Sequence, residues 1–327
     1  VLGDAIIGHS RQKELLQKSL DRNRVASAYL FCGPAGVGKR LLALEFLKFF
    51  FCERKKGCGE CVNCKKMEQG NHPDLLFLAA EEGTIRIDEV RLIQKHLKYH
   101  PLEAPRKVCL IDDAERMTPA AQSAFLKTLE EPSDSTLFIL VSSQPEALLP
   151  TIRSRCQNVL FGRLPRDGMV RYLVQHQGLE EMEARLLAAI SDGSLARALK
   201  EGKELKGQDR RQLLEAVAAL PPATDNVLPL FLLSRRLAER KEAKEANLEL
   251  LQLFFRDILF VLEGRSAADL INVDLAELVR GRARRETSAS VLAKLEALQD
   301  AVRALEGNAN LQLCMDVLLM RLSRPAE

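Results

Sequence analysis

The chain has 327 residues, 46% of them hydrophobic and 28% charged, a balance that suits two or three folded domains and excludes a disordered tail or a lone small module. Its 48 Lys and Arg against 45 Asp and Glu leave a formal charge of +3, too little for a protein that coats DNA with a basic surface, so any nucleic-acid contact has to be local. The longest apolar stretch, 250–262, is interrupted by Gln252, Arg256 and Asp257, and residues 1–10 lack the basic and apolar regions of a secretory signal. With no run near the ~20 apolar residues of a membrane span, a cytoplasmic location without membrane contact is expected.

Residues 10–20 carry apolar side chains at helical spacing, 28–32 form a short apolar run, and 40–51 are apolar enough for a buried helix. Further on, 108–111 and 137–141 are short β-rich runs with a helical 119–129 between them. The alternation predicts a parallel sheet covered by helices on both faces over residues 1–163. After Leu164 strand signals vanish. Residues 164 to about 202 read as a small helical module, with Asp167 placed to cap a helix and Gly178 and Gly193 as punctuation. The charged stretch 200–211 reads as a helix end or linker, and long Leu/Ala/Glu-rich helices follow, broken near Pro221-Pro222, Gly264 and Gly307. The expected fold is thus α/β followed by all-α.

Gly33-Pro34-Ala35-Gly36-Val37-Gly38-Lys39 follows the strand ending at Cys32 and opens the next helix. Glycines in this setting let backbone N–H groups curl round phosphates while the helix N-terminus and Lys39 add positive charge, so the segment reads as a nucleotide pocket. The next position should hold a Ser or Thr hydroxyl for magnesium but holds Arg40, a cation that repels the metal. Hydrolysis is therefore doubtful, and ATP with Mg²⁺ is an open expectation. Asp112 ends an apolar strand as the natural acid on the metal side, and Asp113 stands where a water-activating Glu is usual.

Cys52, Cys58, Cys61 and Cys64 crowd into 13 positions. Four thiolates so close suit tetrahedral zinc at sulfur distances of about 2.3 Å, with Gly57 and Gly59 allowing tight turns. Free thiols and an iron-sulfur cluster are the other readings, and no redox motif accompanies the cysteines. One structural zinc ion per chain is expected. Cys32, Cys109, Cys156 and Cys314, in apolar surroundings, read as core residues.

These motifs, together with 124–132 (Ala-Phe-Leu-Lys-Thr-Leu-Glu-Glu-Pro) and 151–156 (Thr-Ile-Arg-Ser-Arg-Cys), resemble in this order the clamp-loader subunits of bacterial DNA polymerase III. Arg40, the His72-Pro-Asp-Leu-Leu segment and residues 85–91 fit the delta prime branch better than the gamma/tau motor, which stays the alternative. The resemblance implies an AAA+ fold: a P-loop-type domain over 1–163 with a zinc module at 52–64, a helical lid over 164–205, and a helical collar over 206–327 that holds a pentamer together. It implies gamma/tau and delta subunits as partners, with the sliding clamp and, through the complex, primed DNA. It assigns Arg155 of the Ser-Arg-Cys motif to the neighbouring subunit's ATP site, Ser143 to the sensor-1 position and Arg197 to a sensor-2 position, beside Gly33, Gly36, Gly38, Lys39 and Asp112. Arg155 is expected in a loop after the fifth apolar strand. A zinc-dependent DNA-binding regulator is disfavoured, since no basic recognition helix accompanies the cysteines.

Overall fold

The structure is a computed structural model that describes all residues except 1, 4–5, 81–82, 131–134, 205–206, 222–225, 240–242, 267–268 and 326–327. The expected domain boundary at 205/206, the break at Pro222 and the Glu131-Pro132 end of the 124–132 motif lie outside the described residues. By internal contacts the chain divides into two compact units, Val1–Met169 with Gly193–Ala196, and Val170–Asp192 with Arg197–Glu327.

In the first unit, β1 (Ala28–Cys32), β2 (Leu75–Leu78), β3 (Lys107–Ile111), β4 (Thr136–Ser142) and β5 (Gln157–Leu160) form one parallel sheet in the order β2-β3-β4-β1-β5. The interior strands β1, β3 and β4 are buried at every residue. That is why they are continuously apolar rather than alternating: helices cover both faces of the sheet. The helices are α1 (Ser10–Asp21), α2 (Lys39–Phe51), α3 (Val62–Glu68), α4 (Ile87–Leu97), α5 (Pro119–Glu130) and α6 (Pro150–Arg155). On one face α2 packs on β1 and β4 with α1 against it, the Phe46 ring meeting Tyr29 edge-on at 5.8 Å. On the other, α4, α5 and α6 bury Val90, Ile93, Phe125 and Ile152 against Leu30, Cys109, Phe138 and Leu140.

All strands run one way, so the ends of β1, β3 and β4 open on one edge, with Cys32 level with Ser142 and Ile111 level with Leu140. The observed elements begin and end within a residue of the expected ones for β1, β3, β4, α1, α2 and α5. One placement is corrected. Arg155 is not in a loop after a fifth strand: it ends helix α6 after the fourth strand and leads into β5.

In the second unit every regular element among the described residues is helical: α7 (Arg166–Gln177), which starts in the first unit, α8 (Glu181–Ile190), α9 (Leu195–Glu204), α10 (Gly207–Ala218), α11 (Leu228–Glu239), α12 (Lys244–Leu262), α13 (Ala276–Ala283), α14 (Ser288–Glu306) and α15 (Leu311–Leu322). Helix α12 is the centre, packed by α8, α10, α13 and α14, and Leu251, Phe254, Phe255 and Ile258 are 0% exposed. This stripe is internal core, whereas Leu313 and Val317 of α15 stand 64% and 56% exposed. Buried charge is matched locally. Asp257 accepts the backbone N–H groups of Ile271 and Asn272, and Glu286 lies between Arg282 and Lys294, as burial of a carboxylate requires. No helix among the described residues is long and apolar enough to cross a membrane.

Candidate functional site

The phosphate-type loop leaves β1 at Gly33 and enters α2 at Lys39, with positive φ at Gly33, Gly36 and Gly38. Gly36 is required twice over: its φ is 73°, and a Cβ there would fall 2.2 Å from Ser194 Oγ. Ala196 N–H donates to the Gly36 carbonyl at 3.2 Å and a His9 ring N–H to the Val37 carbonyl at 2.8 Å. The loop is filled from within. The Lys39 ammonium is buried and donates to the carbonyls of Gly33 and Pro34 at 2.6 and 2.7 Å. Burial pushes its pKa below the ordinary lysine value, against the pull of Glu115, Asp112 and Asp113.

The metal side is occupied in the same way. Arg40 Nη1 donates to Asp112 Oδ2 at 3.3 Å, and its guanidinium lies 4.7 Å from the centre of the Phe77 ring. Burial, then the neighbouring Asp113, hold Asp112 above the usual carboxylate range although Arg40 opposes them. Asp113 has φ 49° and a half-exposed carboxylate 3.8 Å from Arg116 Nε. Half-exposed Arg40 thus places a positive charge on the acid that would share a magnesium ion, which disfavours the metal there. Glu115 accepts from both the backbone N–H, at 3.0 Å, and the hydroxyl of Ser143. Burial alone would raise its pKa, but the Ser143 donors hold it below the usual range. Sequence reasoning missed Glu115 and His9 as pocket residues. Glu115 carries a weak signal, an acid three positions past Asp112; His9 carries none.

At the far end of α2 the four predicted cysteines converge. All four Sγ atoms lie within 4.8 Å of one another. Cys52 Sγ is 3.7 Å from Cys58 Sγ, which is 4.0 Å from Cys64 Sγ; a tetrahedron of sulfurs about 2.3 Å from zinc has edges of roughly 3.8 Å. The backbone N–H groups of Cys58, Cys61 and Cys64 each point at the sulfur of the preceding cysteine, at 3.5 Å. Gly57 makes the turn with φ 58°, and a Cβ there would overlap Phe49 at 2.4 Å. Asn63 Nδ2 ties α3 to the end of α2 through the Phe51 carbonyl, and the ring of His72 stacks on Phe51 at 4.0 Å. Burial opposes ionisation of Cys52, yet N–H donors from Cys58, Lys56 and Arg54 bring it down to about 6, while burial first and the neighbouring thiols next push Cys64 up to about 12. Burial opposes ionisation of Cys61 too, yet N–H donors from Cys64 and Glu53 lower it, so negative charge gathers at Cys52 and Cys61 more readily than at Cys64, a build-up that a bound dication relieves. The four residues fit a metal ion. Of the cysteines assigned to the core, Cys32, Cys109 and Cys156 are buried, and Cys314 is half-buried.

Arg155 lies apart from the loop residues. Helix α6 enters β5 at the end opposite to that from which the loop leaves the parallel strand β1, since Gln157 is level with Tyr29 and Leu160 with Cys32. Arg155 is 38% exposed there and pairs with Glu130 at 2.8 Å. Arg197 forms an ion pair with Glu249 of α12. Arg91, Lys95, Lys98 and Lys127 line an open cavity of about 480 Å³ whose wall also includes Thr136 and Phe138 of β4.

A family model described as DNA polymerase III, delta subunit, matches residues 8–165, and one described as its C-terminal part matches 204–324. The delta prime subunit of DNA polymerase III from Bacillus subtilis (strain 168) is 31% identical over 95% of this chain and 95% of its own length. The chain belongs to the DNA polymerase III delta prime family. The Escherichia coli (strain K12) delta prime subunit is 32% identical over 81% of this chain and 79% of its own. The tau subunit of Bacillus subtilis is similarly identical, at 31%, but only over 66% of this chain and 41% of its own length. The Bacillus subtilis delta prime subunit thus matches this chain over its helical unit as well as its sheet.

Proposed function

We propose that this chain is the stator of the DNA polymerase III clamp loader, a subunit that hydrolyses no ATP itself and completes a neighbour's ATP site with Arg155. The observation that carries the reading is the contrast between a pocket filled by its own Lys39 and Arg40 and an arginine held out at the other end of the sheet. A guanidinium delivered in trans stabilises charge on the transferred phosphoryl and is worth about 10³ to 10⁵ in rate, so a subunit with an inert pocket still matters to its neighbour. Ser143, engaged by Glu115, and Arg197, engaged by Glu249, then keep the sensor positions without serving a nucleotide.

The partners are gamma/tau and delta subunits in a pentamer, acting together on the sliding clamp and primed DNA in the cytoplasm. We assign 1–163 to the P-loop-type domain, 164–205 to a lid and 206–327 to the collar, with the exposed side chains of α15 facing partner subunits. Zinc is the metal we assign to Cys52, Cys58, Cys61 and Cys64. It would brace the module structurally, because the four thiols leave no open ligand position.

The deciding experiment replaces Arg155 in a reconstituted complex. Arg155→Ala should leave assembly and metal content unchanged while lowering DNA-stimulated ATP hydrolysis and clamp loading through loss at one site, with Lys a poor substitute for the planar fork. Normal loading by a correctly assembled complex would defeat the reading, as would robust magnesium-dependent ATP hydrolysis by the isolated chain.

A further inference from the structure

We propose that Glu130 is a positioning residue for Arg155, orienting its guanidinium before a neighbouring subunit meets it; the inference rests on the in-trans role given to Arg155 above. Glu130 ends α5 and Arg155 ends α6, and the two helices pack together. Glu130 Oε1 accepts from Arg155 Nη2 at 2.8 Å, and the Thr151 carbonyl accepts from Nη1 at 3.1 Å. A guanidinium carries five N–H donors. These two contacts use one donor on each terminal nitrogen and leave the rest of the fork for phosphate oxygens. Because one anchor is on α6 and the other on α5, they fix the plane of the group as well as its place.

The energetics favour positioning over stability. An arginine reaching from a surface helix samples many rotamers, and ordering it at the moment of contact is unfavourable. An ion pair formed beforehand removes that cost. With the two side chains 38% and 44% exposed, the pair is screened by solvent and adds little to folding. It also differs from the many surface pairs of this chain that join residues one helical turn apart, such as Lys18 with Glu14 or Arg211 with Glu215. Glu130 and Arg155 are 25 positions apart, one in each of the segments 124–132 and 151–156 that carry part of the resemblance.

The test measures kcat and KM for ATP hydrolysis by the complex reconstituted with its gamma/tau and delta partners, the sliding clamp and primed DNA. Glu130→Ala should lower kcat roughly threefold to tenfold with KM for ATP unchanged, within the coupling found between residues in contact. Glu130→Gln, which keeps an acceptor oxygen, should recover part of the loss. In an Arg155→Ala background, Glu130→Ala should change nothing further. A kcat for Glu130→Ala that is normal or raised overturns the proposal, and so does an equal loss in both backgrounds, since Glu130 would then act independently of the arginine. If Arg155→Ala itself is silent, the in-trans reading fails first and this proposal with it.

Discussion

Helix α2 carries a motif at each end, about 20 Å apart by helical rise, and the two ends treat charge in opposite ways. At its N-terminus Lys39 donates into the loop that should cradle phosphate, and Arg40 sits on the acid that should share a metal. At its C-terminus four sulfurs gather with N–H donors around them, and the neighbouring Lys48 ammonium is engaged by Glu68 at 2.6 Å. At one end basic side chains occupy the motif itself; at the other the motif is four thiols. The departure at Arg40 is already visible in the sequence, and the structure adds where that charge goes, onto Asp112.

The largest effect expected from that contrast is at the cysteines. Structural zinc in small modules supplies an apparent ~10–16 kcal/mol at neutral pH, so the purified chain should hold one zinc. Cys61→Ser should lose it together with hydrogen-exchange protection across α3, while the sheet stays protected. Full metal content in that variant would erase the difference between the two ends. Next comes Arg40→Thr, which removes the built-in cation and frees Asp112. Because Asp113 is turned toward Arg116 and Glu115 is engaged by Ser143, we expect this variant to gain magnesium-dependent nucleotide binding, read by titration calorimetry, with turnover still close to zero. Brisk turnover would show that Arg40 is the only defect.

The smallest effect is on stability. Asp112 has a folded-state pKa raised above its ordinary 3.8, so the native state binds its proton more tightly than the unfolded chain does. Its contribution is then complete below the ordinary value and lost as pH rises through the folded one, leaving the ionised carboxylate a net burden near neutrality. Asp112→Asn should raise Tm at pH 7 by about 1–2 °C, and the gain should shrink as the pH falls toward the carboxylate range. A gain that does not change with pH would locate its cause in packing.

How much of this was legible follows from where each signal resides. The interior strands β1, β3 and β4 announce themselves because burial on both faces demands unbroken apolar runs. The edge strands do not: Gln157 and Asn158 of β5 are exposed, and Leu75–Leu78 reads as Leu-rich chain that could equally be helix. The four cysteines were legible as a set because the spacing itself is the constraint. Of the predicted pocket residues, the loop glycines, Lys39, Asp112 and Ser143 all come to one edge of the sheet, whereas Arg197 is taken by Glu249. Glu115 and Glu130 went unread since each acquires its meaning from a partner more than 20 positions away. The apolar stripe at 251–258 illustrates the limit of periodicity, which marks a face as apolar without saying whether the protein itself or another subunit covers it.

The edge strand β5 has a consequence for the chain before it finds any partner. A strand at the rim of a sheet is a template onto which other extended chains can add, and long apolar rims invite fibrous or amorphous aggregates. Here the rim is only four residues long, two of its residues are amides, and the Gln12 side chain donates to the carbonyl of Leu160 at its end. The short length and the two amides that conceal β5 from a reader of the sequence therefore also make it a poor template for other extended chains.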